Sequence, residues 1–121
     1  MRPLRIIATT ADAERLRGAL VLAAAQAALG GDVAIFLQLD AVALLRAPVG
    51  GPRDAAHQAA GLPSLAALID DALELDVRLI ACQSGLALHG MSVADLPGPI
   101  DIGGPIGFLQ QVDDDARLLM A

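Results

Sequence analysis

The only cysteine of the chain, Cys82, closes the run Val77-Arg78-Leu79-Ile80-Ala81 and is followed by Gln83-Ser84-Gly85, which reads as the start of a helix. A thiol at a strand end beside a helix amino terminus lies near unpaired backbone N–H groups, and these favour the thiolate, the nucleophilic form of cysteine. Ser84 is placed to cap that helix, and Gly85 to let another stretch of backbone come close. A second reading has equal physical standing: free cysteine is often a small buried hydrophobe with no chemistry of its own. At this level both stay open.

The remaining reactive side chains are sparse. His89 stands seven residues beyond Cys82, one to two turns along a short helix, so it is placed to add positive potential or to cap the helix before Gly90. His57 falls in a Pro- and Gly-rich stretch and is expected to have no role, folding over the thiol being the alternative. Two separated histidines and one cysteine give no metal-ligand spacing, and no cofactor is expected. Asp113-Asp114-Asp115 reads as a solvated turn rather than a cation site. No second cysteine stands in a C-x-x-C arrangement, which excludes an internal dithiol cycle. Gly103-Gly104-Pro105-Ile106-Gly107 lacks the spacing of a dinucleotide fingerprint. A receiver domain would carry a phosphate-accepting aspartate where Cys82 stands. A flavin site would want a longer phosphate loop than Thr9-Thr10 and aromatic stacking, but Trp and Tyr are absent.

These residues need a scaffold, and its elements are legible. Leu4 to Ala8 is a short apolar run ending at Thr9-Thr10, a strand running into a loop. Asp12 and Glu14 open a long alanine-rich helix that stops at Leu29 before Gly30-Gly31. Asp32 to Gln38 gives the second strand and Asp40 to Arg46 a short helix. Residues 47 to 61 hold Pro48, Gly50, Gly51, Pro52 and Gly61, the most mobile-looking segment, with a helical turn over Asp54 to Ala60. Helical spacing of Leu65, Leu68, Ile69, Ala72 and Leu75 marks a helix begun near Ser64 and ended at Asp76. Val77 to Ala81 is the third strand, Ser84 to Gly90 a short helix, and Ile100 to Ile102 a brief fourth strand. A helix then runs from Pro105 to near Val112, and Ala116 to Met120 forms the last strand.

Apolar strands separated by helices predict one α/β domain over residues 1–121: a three-layer α/β/α sandwich with a mostly parallel sheet of about five strands. Right-handed crossovers bring the loops after each strand to one edge, where ligands of such sheets gather. Thr9, Thr10, Gln83, Ser84, Gly85 and His89 are therefore the expected lining of a site around Cys82.

Composition narrows the partners. The formal charge is −6, which repels phosphate backbones and argues against nucleic acid. The longest apolar run, Gly18 to Gly30, is shorter than the roughly 20 residues needed to cross a bilayer. With no leader pattern before Leu4, the expected location is the cytoplasm. The hydrophobic fraction is 55% and the mean hydropathy +0.59, more than one small core needs, so a homo-oligomer is expected to cover the excess.

Taken together, the first strand with Thr9-Thr10, the alanine-rich helix ending at Gly30-Gly31, the strand Val33 to Leu37, the helix from Pro63, and above all Ile80-Ala81-Cys82-Gln83-Ser84-Gly85-Leu86 with Gly90-Met91 resemble the DsrE/DsrF-like family, which includes the Tus sulfur-relay proteins. Gly107-Phe108-Leu109 and Ala116 to Met120 also fit. The resemblance implies a three-layer fold, trimers or hexamers, and a cysteine at the position of Cys82 that carries sulfur as a persulfide between donor and acceptor proteins or small thiols. It also implies a basic residue shortly after the cysteine, where this chain offers only His89. Against the carrier stand a non-catalytic oligomeric binding module, with Cys82 as packing, and a peroxide-sensing thiol. Light scattering is expected to give a mass that is a multiple of the 12.3 kDa chain; a monomer mass would contradict the oligomer.

Overall fold

The computed structural model describes residues 1–121. Five strands, β1 (Leu4–Ala8), β2 (Val33–Leu37), β3 (Arg78–Cys82), β4 (Asp101–Gly103) and β5 (Arg117–Met120), form one sheet in the order β4-β3-β2-β1-β5. Every neighbouring pair is parallel. The helices are α1 (Ala13–Ala28), α2 (Asp54–Ala59), α3 (Leu65–Glu74), α4 (Gln83–Leu88) and α5 (Pro105–Leu109), with 3-10 turns at Leu39–Leu45 and Val93–Asp95. The α/β/α sandwich and its five-stranded parallel sheet are as the sequence predicts.

Local chemistry explains the boundaries. The Asp12 carboxylate accepts hydrogen bonds from the Glu14 and Arg15 N–H groups, which fixes it as the cap of α1 rather than its first residue. Ser64 caps α3 by accepting from the Ala67 N–H. The last helix ends at Leu109, earlier than the expected Val112, and the third strand runs one residue later than expected, so that Cys82 lies inside it.

Register sorts the strands into two faces. Leu4, Ile6, Ala8, Val33, Ile35, Leu37, Leu79 and Ala81 share one face and are all buried. The steps β1 to β2 to β3 move in one direction across the sheet, so right-handed crossovers put α1 and α3 together over that face. The connection from β4 back to β5 runs the other way and carries α5 to the opposite face. There Phe108 of α5 stacks on Phe36 of β2, with ring centroids 5.2 Å apart. On that side cover is thin: Leu118 and Met120 of β5, and Ile106 and Leu109 of α5, are exposed.

Two arginines are buried, each with an acid beside it. Arg5 reaches Asp32 at 2.7 Å, and that hydrogen bond holds the Asp32 carboxyl below its ordinary range. Arg17 of α1 donates to Glu14 at 3.0 Å, to Asp54 at 2.6 Å and to the Pro63 carbonyl at 3.0 Å. Asp54 also accepts from the Gly51 and Leu65 N–H groups, and His57 lies 3.2 Å from Glu14. The segment expected to be mobile, residues 47 to 61, is thus fastened through its middle, at Asp54 and His57, to α1 and to the start of α3. The missing signal was Arg17, whose side chain reaches 37 residues along the chain to Asp54.

The Gly51 amide, the Arg17 guanidinium and the Leu65 amide hold Asp54 down to about 2. Because the folded-state value is depressed, the contribution of Asp54 is present above the ordinary carboxylate range and is lost as pH falls through it toward about 2. Replacing Asp54 with Asn is expected to lower the urea midpoint at pH 7 and to flatten its decline between about pH 4 and pH 2; a mutant curve parallel to that of the parent would refute the clamp.

Candidate functional site

Cys82 sits where β3 gives way to α4 with no residue between. Its backbone is still extended, at φ −65° and ψ 122°, while Gln83 already begins the helix. Cys82 is therefore itself the residue capping α4. Ser84, expected in that role, lies exposed in the first turn, and no side chain caps this helix. Strand alternation puts Arg78, Ile80 and Cys82 on the face toward α5, and Cys82 pairs in register with Gly103.

The thiol is not open to solvent. Cys82 is 2% exposed and belongs to the hydrophobic core, and it borders none of the four cavities of the protomer. An exposed thiol at the sheet's rim is thus half realised: the rim position is there, the exposure is not. The Cys82 side chain lies on the face toward α5, within the hydrophobic core, and the adjoining helix has a close contact of its own. Gly85 is buried against the 3-10 turn that follows β2, so closely that a Cβ at Gly85 would fall well inside contact distance of the Leu39 carbonyl oxygen. That close approach draws α4 down onto the turn. Leu39 adopts the left-handed conformation, φ 48°, to present its carbonyl there.

The other expected lining residues divide. Gln83 and Ser84 are exposed beside the thiol, and Gly85 is buried beneath them. His89 ends α4 with its ring Nε2 2.9 Å from Asp40 Oδ1, and Arg46 donates to the His89 carbonyl at 2.8 Å. His89 is thereby a fastener between α4 and the turn. Thr9 and Thr10 lie at the same sheet edge but after β1, which β2 separates from β3, about 10 Å away at two strand spacings. Thr9 is occupied: its hydroxyl donates to the Ala121 carbonyl at 3.2 Å. The structure keeps Gln83, Ser84 and Gly85 next to Cys82, holds His89 on Asp40 at the far end of α4, and leaves Thr9 and Thr10 apart from the thiol. His57 is on Glu14 and distant in the chain from the α4 elements. No group of three or more His, Cys, Asp or Glu is arranged to hold a metal ion, and no helix is long and apolar enough to cross a membrane. The sequence places Gln38 to Asp40, the loop after the second strand, at this edge but does not show that Leu39 and Asp40 meet α4; the signal available for that contact was Gly85, whose lack of a side chain implies a close neighbour.

Comparison with known proteins agrees with this architecture. The family model described as DsrE/DsrF-like family matches residues 4–120. Among solved structures, the YchN protein of E. coli is similar with 23% identity and a TM-score of 0.78, all of both chains being covered. MTH1491 of Methanobacterium thermoautotrophicum, described as a protein of unknown function, is similar with 15% identity and a TM-score of 0.71, again over the whole of both chains. At these identities the likeness is one of fold. No curated protein matches.

The Gly85 contact can be tested directly. Gly85→Ala is expected to destabilise the protein by about 1–3 kcal/mol, the usual cost of overpacking, and to speed alkylation of Cys82 in native buffer because α4 must lift from the Leu39 turn. Unchanged stability and unchanged alkylation would show that the turn does not hold α4 in place.

Proposed function

From the membership of this chain in the DsrE/DsrF-like family, we propose that it is a sulfur-relay protein in which Cys82 carries sulfane sulfur as a persulfide. The observation that supports this most is the placement of the chain's single cysteine at the carboxyl end of β3, between strand and helix at the ligand-facing edge of a parallel sheet. Loading is a thiol exchange: the Cys82 thiolate attacks the outer sulfur of a donor persulfide, the donor S–S bond breaks, and the donor sulfur leaves as thiolate. Unloading is the same step with an acceptor thiolate attacking the outer sulfur and Cys82 leaving. One thiol per subunit suffices, and no net oxidation occurs. Gln83, Ser84 and Gly85 shape the surroundings of the carried sulfur, and His89, at the other end of α4, is the basic group that the chain offers after the cysteine.

Burial sets a condition on this reading. Cys82 exchanges sulfur only when its cover opens, and the short helices at this edge, α4 of six residues and α5 of five, are the kind of element that opens locally without global unfolding. Copies of the chain cover the exposed Leu118, Leu119 and Met120 of β5 and the exposed Ile106 of α5, giving the homo-oligomer, a trimer or hexamer. Its donors and acceptors are proteins or small thiols, and its place is the cytoplasm.

The same 2% exposure favours a second reading, a non-catalytic oligomeric binding module in which Cys82 is packing. One experiment separates the two. After incubation with a persulfide donor, intact-protein and peptide mass spectra are expected to show one added sulfur atom on Cys82, removed by a reducing thiol and absent from Cys82→Ser. An unmodified thiol that alkylates only on unfolding would establish the packing role.

A further inference from the structure

The outer side of α1 carries an apolar stripe with nothing over it. Gly18, Leu22, Ala25 and Leu29 are all exposed, Leu22 at 47% and Leu29 at 73%, and no charged residue occurs between Gly18 and Leu29. A helix that roofs a sheet ordinarily turns polar residues to water on this side. Together with Arg15, which is also exposed, these positions are spaced three, four, three and four residues apart, the spacing of a coiled-coil seam. On one flank Val21 and Leu62 are exposed too, and with Gly18 they border a hollow of about 350 Å³. A Cβ at Gly18 would meet nothing within 4 Å.

We propose that this stripe is a two-fold contact with a second copy of the chain, the two α1 helices packing antiparallel. The residues are complementary to themselves in that direction. With the axis between Ala23 and Ala24, Gly18 faces Leu29 of the second copy and Leu22 faces its Ala25, and the symmetry repeats both pairs. Every layer sets a large side chain against a small one, and Leu29 of the second copy fills the hollow beside Gly18. A parallel pair would set leucine on leucine and leave Gly18 against Gly18, with a void between them. Charge agrees with the antiparallel choice. Helix α1 has no basic residue in its last turn, and Arg15 takes part in no ion pair of the chain. The antiparallel pair lays Arg15 of each copy beside the carbonyl end of the other α1, the negative end of the helix dipole. This contact uses none of the β5 and α5 side chains assigned to copies above. Joined to a three-fold contact there, it closes a hexamer rather than a trimer; only that last step rests on the proposed oligomer.

The test places cysteines on the full chain as Cys82→Ser. Gly18 and Leu29 of one chain stand eleven residues apart on the helix, about 16 Å, too far for a disulfide within one molecule. Gly18→Cys mixed with Leu29→Cys is therefore expected to give a disulfide-linked dimer on non-reducing gels after mild oxidation with copper phenanthroline, and Gly18→Cys alone to give none. Dimer from Gly18→Cys alone, or none from the mixture, would overturn the contact. Leu22→Glu, at an exposed position, is expected to halve the mass measured by light scattering with the helical circular dichroism retained, and Arg15→Glu to weaken association about fivefold. A mass that Leu22→Glu leaves unchanged would also overturn it. The cross-link is expected to persist in Leu119→Glu, which breaks the β5 contact alone. A cross-linked dimer in a parent protein whose mass never exceeds two chains would uphold the α1 contact and refute the trimer or hexamer; a cross-link lost in Leu119→Glu would refute α1 as a contact that stands by itself.

Discussion

Parallel pairing of all five strands is the constraint on which this molecule depends. Parallel neighbours need crossovers, and crossovers place the ends of β1, β2, β3 and β4 along a single edge. Cys82, the Leu39 turn, Thr9 and Gly103 are neighbours in space at all only because their strands run the same way. The strand order β4-β3-β2-β1-β5 also decides how near. Gly103 is adjacent to Cys82, whereas Thr9 and Thr10 are a strand further off.

The same order makes the two faces unequal. Three successive steps in one direction load one face, and α1 and α3 seal it. A single reversing connection leaves the five residues of α5 to cover the other. Phe108 on Phe36 is the anchor of that side, and around it apolar side chains of β5 and α5 remain exposed. Exposed apolar side chains also stand elsewhere, Val21, Leu22, Leu62, Leu88 and Val93 among them, but β5 carries a continuous run of them, Leu118 to Met120. An edge strand with exposed apolar side chains is a surface that proteins ordinarily cover.

Electrostatics serves attachment more than the thiol. Arg17 and Asp54 secure the excursion between β2 and α3, and Arg5 with Asp32 secures the start of the sheet. Around Cys82 the governing force is steric: Gly85 against Leu39, with His89 on Asp40 at the far end of α4. A thiol so placed has the address of a nucleophile and the cover of a core residue. Its side chain lies on the face toward α5, while the adjoining α4 packs on the turn after β2.

By itself the sequence determined the elements and their order, because these rest on local physics: the apolar runs of the strands, the Asp12 and Ser64 caps, and the Gly30-Gly31 stop are each readable within a few residues. It also determined the candidate nucleophile, since the chain offers one thiol and places it at a strand end. Only the tertiary structure decided whether that thiol meets solvent, which residues stand beside it, and what holds residues 47 to 61. Those answers depend on pairs remote in the chain, Gly85 with Leu39, His89 with Asp40, Arg17 with Asp54. No local pattern encodes such pairs; they exist once the sheet has closed and brought backbone to backbone.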